Sequence, residues 1–129
     1  MNLSTQAVGR AGEFQAAAIF EQHGIVTTHV DIHGVDLWVQ TPSGRRMTVQ
    51  VKTTQKSVIR NKHVQPNYTF QIRMRETSMA DVYCLLALDV GLFRLFSGPE
   101  FRINTKTKHL PVSALTKEAM AEDIKRYLY

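Results

Sequence analysis

The sequence predicts an α/β fold, a mixed central β-sheet flanked by helices, from three observations. A long helical pattern opens the chain, six short strand-like runs fill its middle, and an amphipathic helical pattern closes it. One of the runs, residues 82–88 (Val-Tyr-Cys-Leu-Leu-Ala-Leu), is apolar on both faces, which is the pattern of a central strand covered by helices.

The first helix is expected over residues 5–22, with Ser4 or Thr5 as its cap and Gly24 followed by Ile25 as a Schellman-type stop. Val8, Ala11, Phe14, Ala16, Ala17, Ala18, Ile19 and Phe20 are too many apolar residues for a thin stripe, so this helix should be well covered. Gly9 and Gly12 weaken it by roughly 1 kcal/mol each relative to Ala, and a close approach to a sheet would compensate. The small residues a turn away from Glu13 would let the helix lie low and aim that carboxylate at the sheet.

Strands are expected over 26–31, 35–40, 46–53, 68–73, 82–88 and 92–96. Pro42, Ser43 and Gly44 should fold the second back onto the third, and Asp89, Val90 and Gly91 should join the last two. Residues 54–67 are polar, basic and interrupted by Pro66, the composition of a mobile loop. The last helix is expected over 117–127, with Thr116 as cap, Leu115 stapled to Met120, and Met120, Ile124, Tyr127 and Leu128 as its apolar stripe.

A chain of 129 residues supports a single domain spanning 1–129, and 43% hydrophobic with 21% charged residues is a globular composition. No run has the length of a membrane span and the start lacks a signal-peptide layout, so a cytoplasmic protein without membrane contact is expected. The lone Cys84 sits in the apolar run and reads as a small buried hydrophobe. The net charge of +5 is unevenly placed, because residues 37–75 contain no Asp or Glu but eight Lys or Arg. Elsewhere eight basic residues face eleven acidic ones. Such a segment attracts a polyanion, and DNA is the expected partner.

The chemistry concentrates on the hairpin formed by the second and third strands. In residues 46–53 a period of two sends Met47, Val49 and Val51 to one face and Thr48, Gln50 and Lys52 to the other. The turn brings Asp36 beside Gln50 and Lys52. His29, Asp31 and His33 alternate along the preceding strand, but their donors spread over roughly 13 Å and cannot converge on one ion. His63 and His109 lie in polar, basic surroundings, and there is no zinc pattern, phosphate-binding glycine loop or dinucleotide fingerprint, so no small-molecule cofactor is expected.

Gly9-Arg10-Ala11-Gly12-Glu13, Gly34-Val35-Asp36-Leu37 and Val49-Gln50-Val51-Lys52-Thr53-Thr54 occur in an order and at a spacing that resemble the PD-(D/E)XK nuclease superfamily. The resemblance is to its small members, the archaeal-type Holliday junction resolvases and the nucleases associated with group I introns, and runs from the first helix to the strands near Phe96. Val35 stands where the family name has Pro, and Gln50 where the second acid usually stands; some branches resemble this chain in using Gln there. The resemblance implies a restriction-endonuclease-like core of α-β-β-β-α-β type with Glu13, Asp36, Gln50 and Lys52 as the catalytic set, and a homodimer acting on two-fold DNA, either a four-way junction or an intron-homing site.

Phosphodiester hydrolysis requires a deprotonated water and positive charge against the phosphorane. Asp36, the Gln50 amide oxygen, the Val51 carbonyl and Glu13 are the expected ligands of Mg²⁺, with Mn²⁺ as a substitute. Lys52 is expected to orient the water and contact the phosphate. Arg10, Arg45, Arg46, Lys56, Arg60 and Lys62 are the expected DNA contacts; Gln55, Arg60, Asn61 and Gln65 are placed to read base edges if the substrate is a homing site. Two rival readings are a noncatalytic DNA-binding module that lost an acid at Gln50 and a nuclease directed at RNA.

The acid-free segment generates the first prediction. DNA affinity, measured by anisotropy against salt concentration, should fall steeply as salt rises, and neutralising Arg45, Arg46 or Lys56 should flatten the slope by about one charge per residue removed. An affinity that is level between low and physiological salt contradicts a phosphate-tracking surface.

Overall fold

The computed structural model describes residues 3–32, 35–59, 66–72, 80–102 and 107–129. The first helix, α1 (Thr5–Gln22), starts where the Ser4 hydroxyl accepts the Ala7 amide at 3.1 Å. It stops through the two expected Schellman bonds, Ile25 N–H to the Phe20 carbonyl and Gly24 N–H to the Glu21 carbonyl. Strands β1 (Val26–Ile32), β2 (Val35–Gln40), β3 (Arg46–Thr54), β4 (Asn67–Gln71), β5 (Val82–Ala87) and β6 (Leu92–Ser97) follow. All six expected strands are present, with shifts of one or two residues at their ends. The short helix α2 (Gly98–Arg102), strand β7 (Thr107–Pro111) and one 3₁₀ turn precede α3 (Lys117–Tyr127), whose Thr116 hydroxyl accepts the Ala119 amide.

The five-stranded sheet has the order β1-β2-β3-β5-β6, in which β3 and β5 are parallel and every other pair antiparallel. This is the expected mixed sheet flanked by helices. The start of the parallel pair is pinned by side chains: the Thr48 amide and hydroxyl both donate to the Asp81 carboxylate, and the Asp81 amide donates back to the Thr48 hydroxyl. Every residue of β5 is buried, as its two-sided apolar pattern requires. β4 is not part of this sheet but pairs with β7, which the sequence did not reveal. The segment after β3 partly folds back, with Val58 and Asn67 exchanging both backbone hydrogen bonds.

The sheet separates two cores. On one face Leu37, Val39, Val49, Val51, Cys84, Leu86 and Leu95 pack against Ala16, Ile19 and Phe20 of α1 and Met120, Ile124 and Leu128 of α3. Both long helices therefore cover the same face, and the cover by helices expected for β5 holds on that side only, the other being taken mainly by a strand ribbon. On the other face Tyr83, Leu85 and Ala87 pack beneath Tyr68, Phe70 and Leu110 of the β4–β7 ribbon, with Phe101 of α2 stacked on Tyr83. Leu115 belongs to this second core while Met120 belongs to the first, so the expected staple between them does not form. The 3₁₀ turn delivers Leu115 across the sheet edge before α3 begins, which takes it away from its own helix. Cys84 is fully buried, and burial pushes its thiol well above the ordinary range. No described helix is long and apolar enough to cross a membrane.

Edge strand β6 is secured by one carboxylate from α3. Buried Asp123 accepts the Arg94 Nε at 2.7 Å and the Leu95 backbone amide at 2.9 Å, so it neutralises a guanidinium and occupies a sheet-edge donor together. That ion pair raises the Arg94 pKa from its ordinary value. Asp123→Ala should lower stability by about 2 kcal/mol, since it leaves a buried amide without an acceptor while the partly exposed arginine turns to water. A urea unfolding midpoint unchanged from wild type would contradict this role.

Candidate active site on the β2–β3 hairpin

The hairpin turn is held by Thr41, a residue 97% removed from solvent whose relative exposure is 3%. Its backbone amide donates to the Arg45 carbonyl, its hydroxyl accepts the Arg45 amide, and its carbonyl accepts the Gly44 amide. Gly44 has φ of +90°, a conformation open to glycine, and closes the turn that Pro42, Ser43 and Gly44 predicted. From this anchor the register runs Gln40 to Arg46, Val39 to Met47, Trp38 to Thr48 and Leu37 to Val49. One step further sets Asp36 across from Gln50.

At that step a side chain takes over from the backbone ladder. The Asp36 carboxylate accepts the Val51 amide at 2.8 Å, which seats it against the main chain between Gln50 and Lys52. Leu37, Val49 and Val51 point into the helix-covered core, so Gln50 and Lys52 alternate to the opposite face. At Asp36 the alternation of β2 breaks, because Val35 packs on the second core and Leu37 in the first, and the acid sits at the crossing between the two faces. The parallel partners agree: Gln50 stands beside Tyr83 and Lys52 beside Leu85, both members of the second core. The structure thus brings Gln50 and Lys52 to one face and holds Asp36 against the strand between them, all three half-buried.

Glu13 comes from the helix side. Gly12 is buried, and a Cβ there would overlap the side chain of Thr53 on β3. This is the close approach that the sequence anticipated, and it belongs to Gly12 alone, because Gly9 has open space around it. Half-buried Glu13 lies in a cleft of ≈ 340 Å³ with Arg10, Phe14, His29 and Val30. His29 stacks on Phe14 with ring centroids 4.6 Å apart, which is a packing role. Since His29 pairs with Leu37, the cleft opens next to the Asp36 position of β2.

Arg10, Arg45, Arg46 and Lys56 are all exposed, as DNA contacts require; Arg60, Lys62, Asn61, Gln65, His33 and His63 lie outside the described residues. His109 is engaged with the Thr69 hydroxyl at 3.0 Å. No three His, Cys, Asp or Glu side chains converge among the described residues. A metal on the hairpin would therefore have to rest on one or two carboxylates with amide, carbonyl and water oxygens completing its shell. That all-oxygen donor set fits Mg²⁺, which keeps several waters.

Two residues were overlooked in the sequence. Trp38 pairs with Thr48, which alternates in phase with Gln50 and Lys52, so the period-two pattern already placed it on their face. The other is Thr53, whose buried hydroxyl finds no hydrogen-bond partner among the described residues; only its contact with Gly12 makes it visible.

Comparison with known proteins adds a fold. A solved structure of a bacterial homing endonuclease, I-Ssp6803I, superposes with a TM-score of 0.70 at 23% identity, covering 84% of this chain and 75% of that one. The two chains thus share a fold. No protein-family model and no curated protein matches the chain.

The Gly12–Thr53 contact can be tested by a double-mutant cycle. Gly12→Ala should destabilise the protein by about 1–3 kcal/mol through overpacking. Adding Thr53→Ala should recover part of that loss, and Thr53→Ala alone should cost little because it removes a hydroxyl that has no partner. Additive effects in urea unfolding would mean that α1 does not rest on β3 at this point.

Proposed function

We propose that the protein is a metal-dependent DNA endonuclease with a PD-(D/E)XK-type site, hydrolysing phosphodiester bonds as a homodimer on a two-fold substrate. The observation that carries this reading is the bond from the Asp36 carboxylate to the Val51 amide. It holds the hairpin's acid against the Gln-Val-Lys strand, between Gln50 and Lys52. The likeness to a homing endonuclease supports the nuclease activity, and it favours an insertion-site duplex over a four-way junction.

Asp36, the Gln50 amide oxygen, the Val51 carbonyl and Glu13 would hold Mg²⁺, or Mn²⁺ in its place. Bound there, the ion would supply positive charge to the phosphorane and acidify a water. The Val51 amide orients the Asp36 carboxylate, so the acid enters the reaction with its position already set. Lys52 directs the attacking water and contacts the phosphate. Leu85 beside Lys52 lowers the local dielectric and strengthens that contact. Arg10, Arg45, Arg46 and Lys56 hold the flanking phosphates. Gln50 contributes a dipole where a carboxylate would contribute a full charge, which predicts a site that works at higher metal concentration.

The test is a titration of nicking against Mg²⁺ for three variants. Gln50→Glu should preserve cleavage and move the requirement to lower metal. Asp36→Asn should abolish cleavage with DNA binding intact or tighter, because it removes repulsion of phosphate. Lys52→Ala should also abolish cleavage, with a smaller loss of binding. If Asp36→Asn cuts at the wild-type rate, or Gln50→Glu leaves the metal dependence where it was, these residues are scaffold and the protein is a noncatalytic DNA-binding module.

A further inference from the structure

The face that carries Gln50 and Lys52 continues past them along the hairpin, and there no described element covers it. Val26, Thr28, Trp38, Gln40, Arg46 and Thr48 line a groove of ≈ 400 Å³. The ladder puts Thr28 and Thr48 on either side of Trp38, and Val26 and Arg46 on either side of Gln40. Trp38, 50% exposed, therefore lies across three strands with hydroxyls at its flanks and a guanidinium beyond. We infer that this face is a stacking platform for a base released from the helix stack of the DNA, with Trp38 as the stacking residue.

An indole left half in water on the second strand of a sheet is an unused apolar plane, and base–aromatic stacking on a sheet is the recognition such a plane supports. Charge selects the occupant. The groove contains Arg46 and adjoins Arg45 at the turn, and its β2 and β3 residues lie in the segment without acidic residues. The carboxylates at its border are engaged, Asp81 by the Thr48 amide and hydroxyl and Glu21 by the Thr27 amide. Position selects the same occupant, since Trp38 is two residues from Asp36 along β2, about 7 Å at the strand rise. That is the reach of one extended nucleotide, so a strand whose phosphate meets Asp36 and Lys52 has its neighbouring base over Trp38. The inference rests on the proposed nuclease function, and it adds a substrate class to it: DNA bent, mismatched or branched so that a base next to the cut is unstacked.

Trp38 is the chain's one tryptophan, so its own emission reports on the face. Emission should be quenched on adding a duplex with a single-base bulge, more weakly by the matched duplex, and left unchanged by heparin, which supplies charge without bases. Trp38→Ala should weaken binding of the bulged duplex, measured by anisotropy, by roughly 5- to 150-fold, with Trp38→Phe recovering most of it. The melting temperature of both variants should match wild type. If the bulged duplex binds and is cut without quenching, the stacking inference is overturned and the nuclease reading survives. Failure of any DNA to bind overturns both. Emission that changes with protein concentration alone, together with a change in sedimentation on Trp38→Ala, would mean that a second copy of the chain covers this face, which also overturns the inference.

Discussion

The bond from the Asp36 carboxylate to the Val51 amide is where the structure and its chemistry meet. Up to Leu37 and Val49 the two strands pair by backbone alone. Beyond that point the side chain of one strand satisfies an amide of the other. A carboxylate that accepts a main-chain N–H at 2.8 Å has little freedom to rotate, so the acid is oriented before anything binds. The pinning depends on the register, and the register depends on a turn that Thr41 closes from within the protein. A slip of one residue would turn Gln50 and Lys52 into the helix-covered core and Val49 and Val51 out of it.

The two cores explain why this face can be both firm and accessible. Both long helices pack on one side, where α1 comes down onto β3 at Gly12 and α3 secures the far edge through Asp123. The other side is covered over β5 by the β4–β7 ribbon, whose Tyr68 hydroxyl reaches Asp89 at 3.0 Å and is pushed up to about 12 by burial and that carboxylate. Among the described residues the β1–β2–β3 end is left open on this side, as exposed Trp38 and Arg46 show. One half of the sheet face is therefore structural, and the other half presents Gln50 and Lys52 next to an open groove.

Much of this was legible in the sequence. The period-two pattern of residues 46–53 fixed which side chains share a face, and the turn at Pro42, Ser43 and Gly44 set the register that places Asp36. Helix ends were readable because caps are local: Ser4, Gly24 and Thr116 act within a few residues of themselves. What stayed hidden was nonlocal. β4 and β7 find each other across nearly forty residues, and no periodicity in either announces a partner. The staple from Leu115 to Met120 failed for the same reason, because a core on the other side of the sheet competed for Leu115 and won. The position of Glu13 on the helix side of the sheet is likewise a product of packing. Its spacing from the hairpin motifs carried no information about which side it would approach from.

The proposed activity requires oxygen donors of the hairpin to gather around one ion. The most direct measurement is anomalous diffraction from crystals grown with Mn²⁺ and a DNA duplex. A peak is expected within reach of the Asp36 carboxylate, the Gln50 amide oxygen and the Val51 carbonyl, with a phosphate oxygen of the duplex in contact. Duplex bound across the hairpin with no anomalous peak at Asp36, or with the ion held elsewhere, would contradict it.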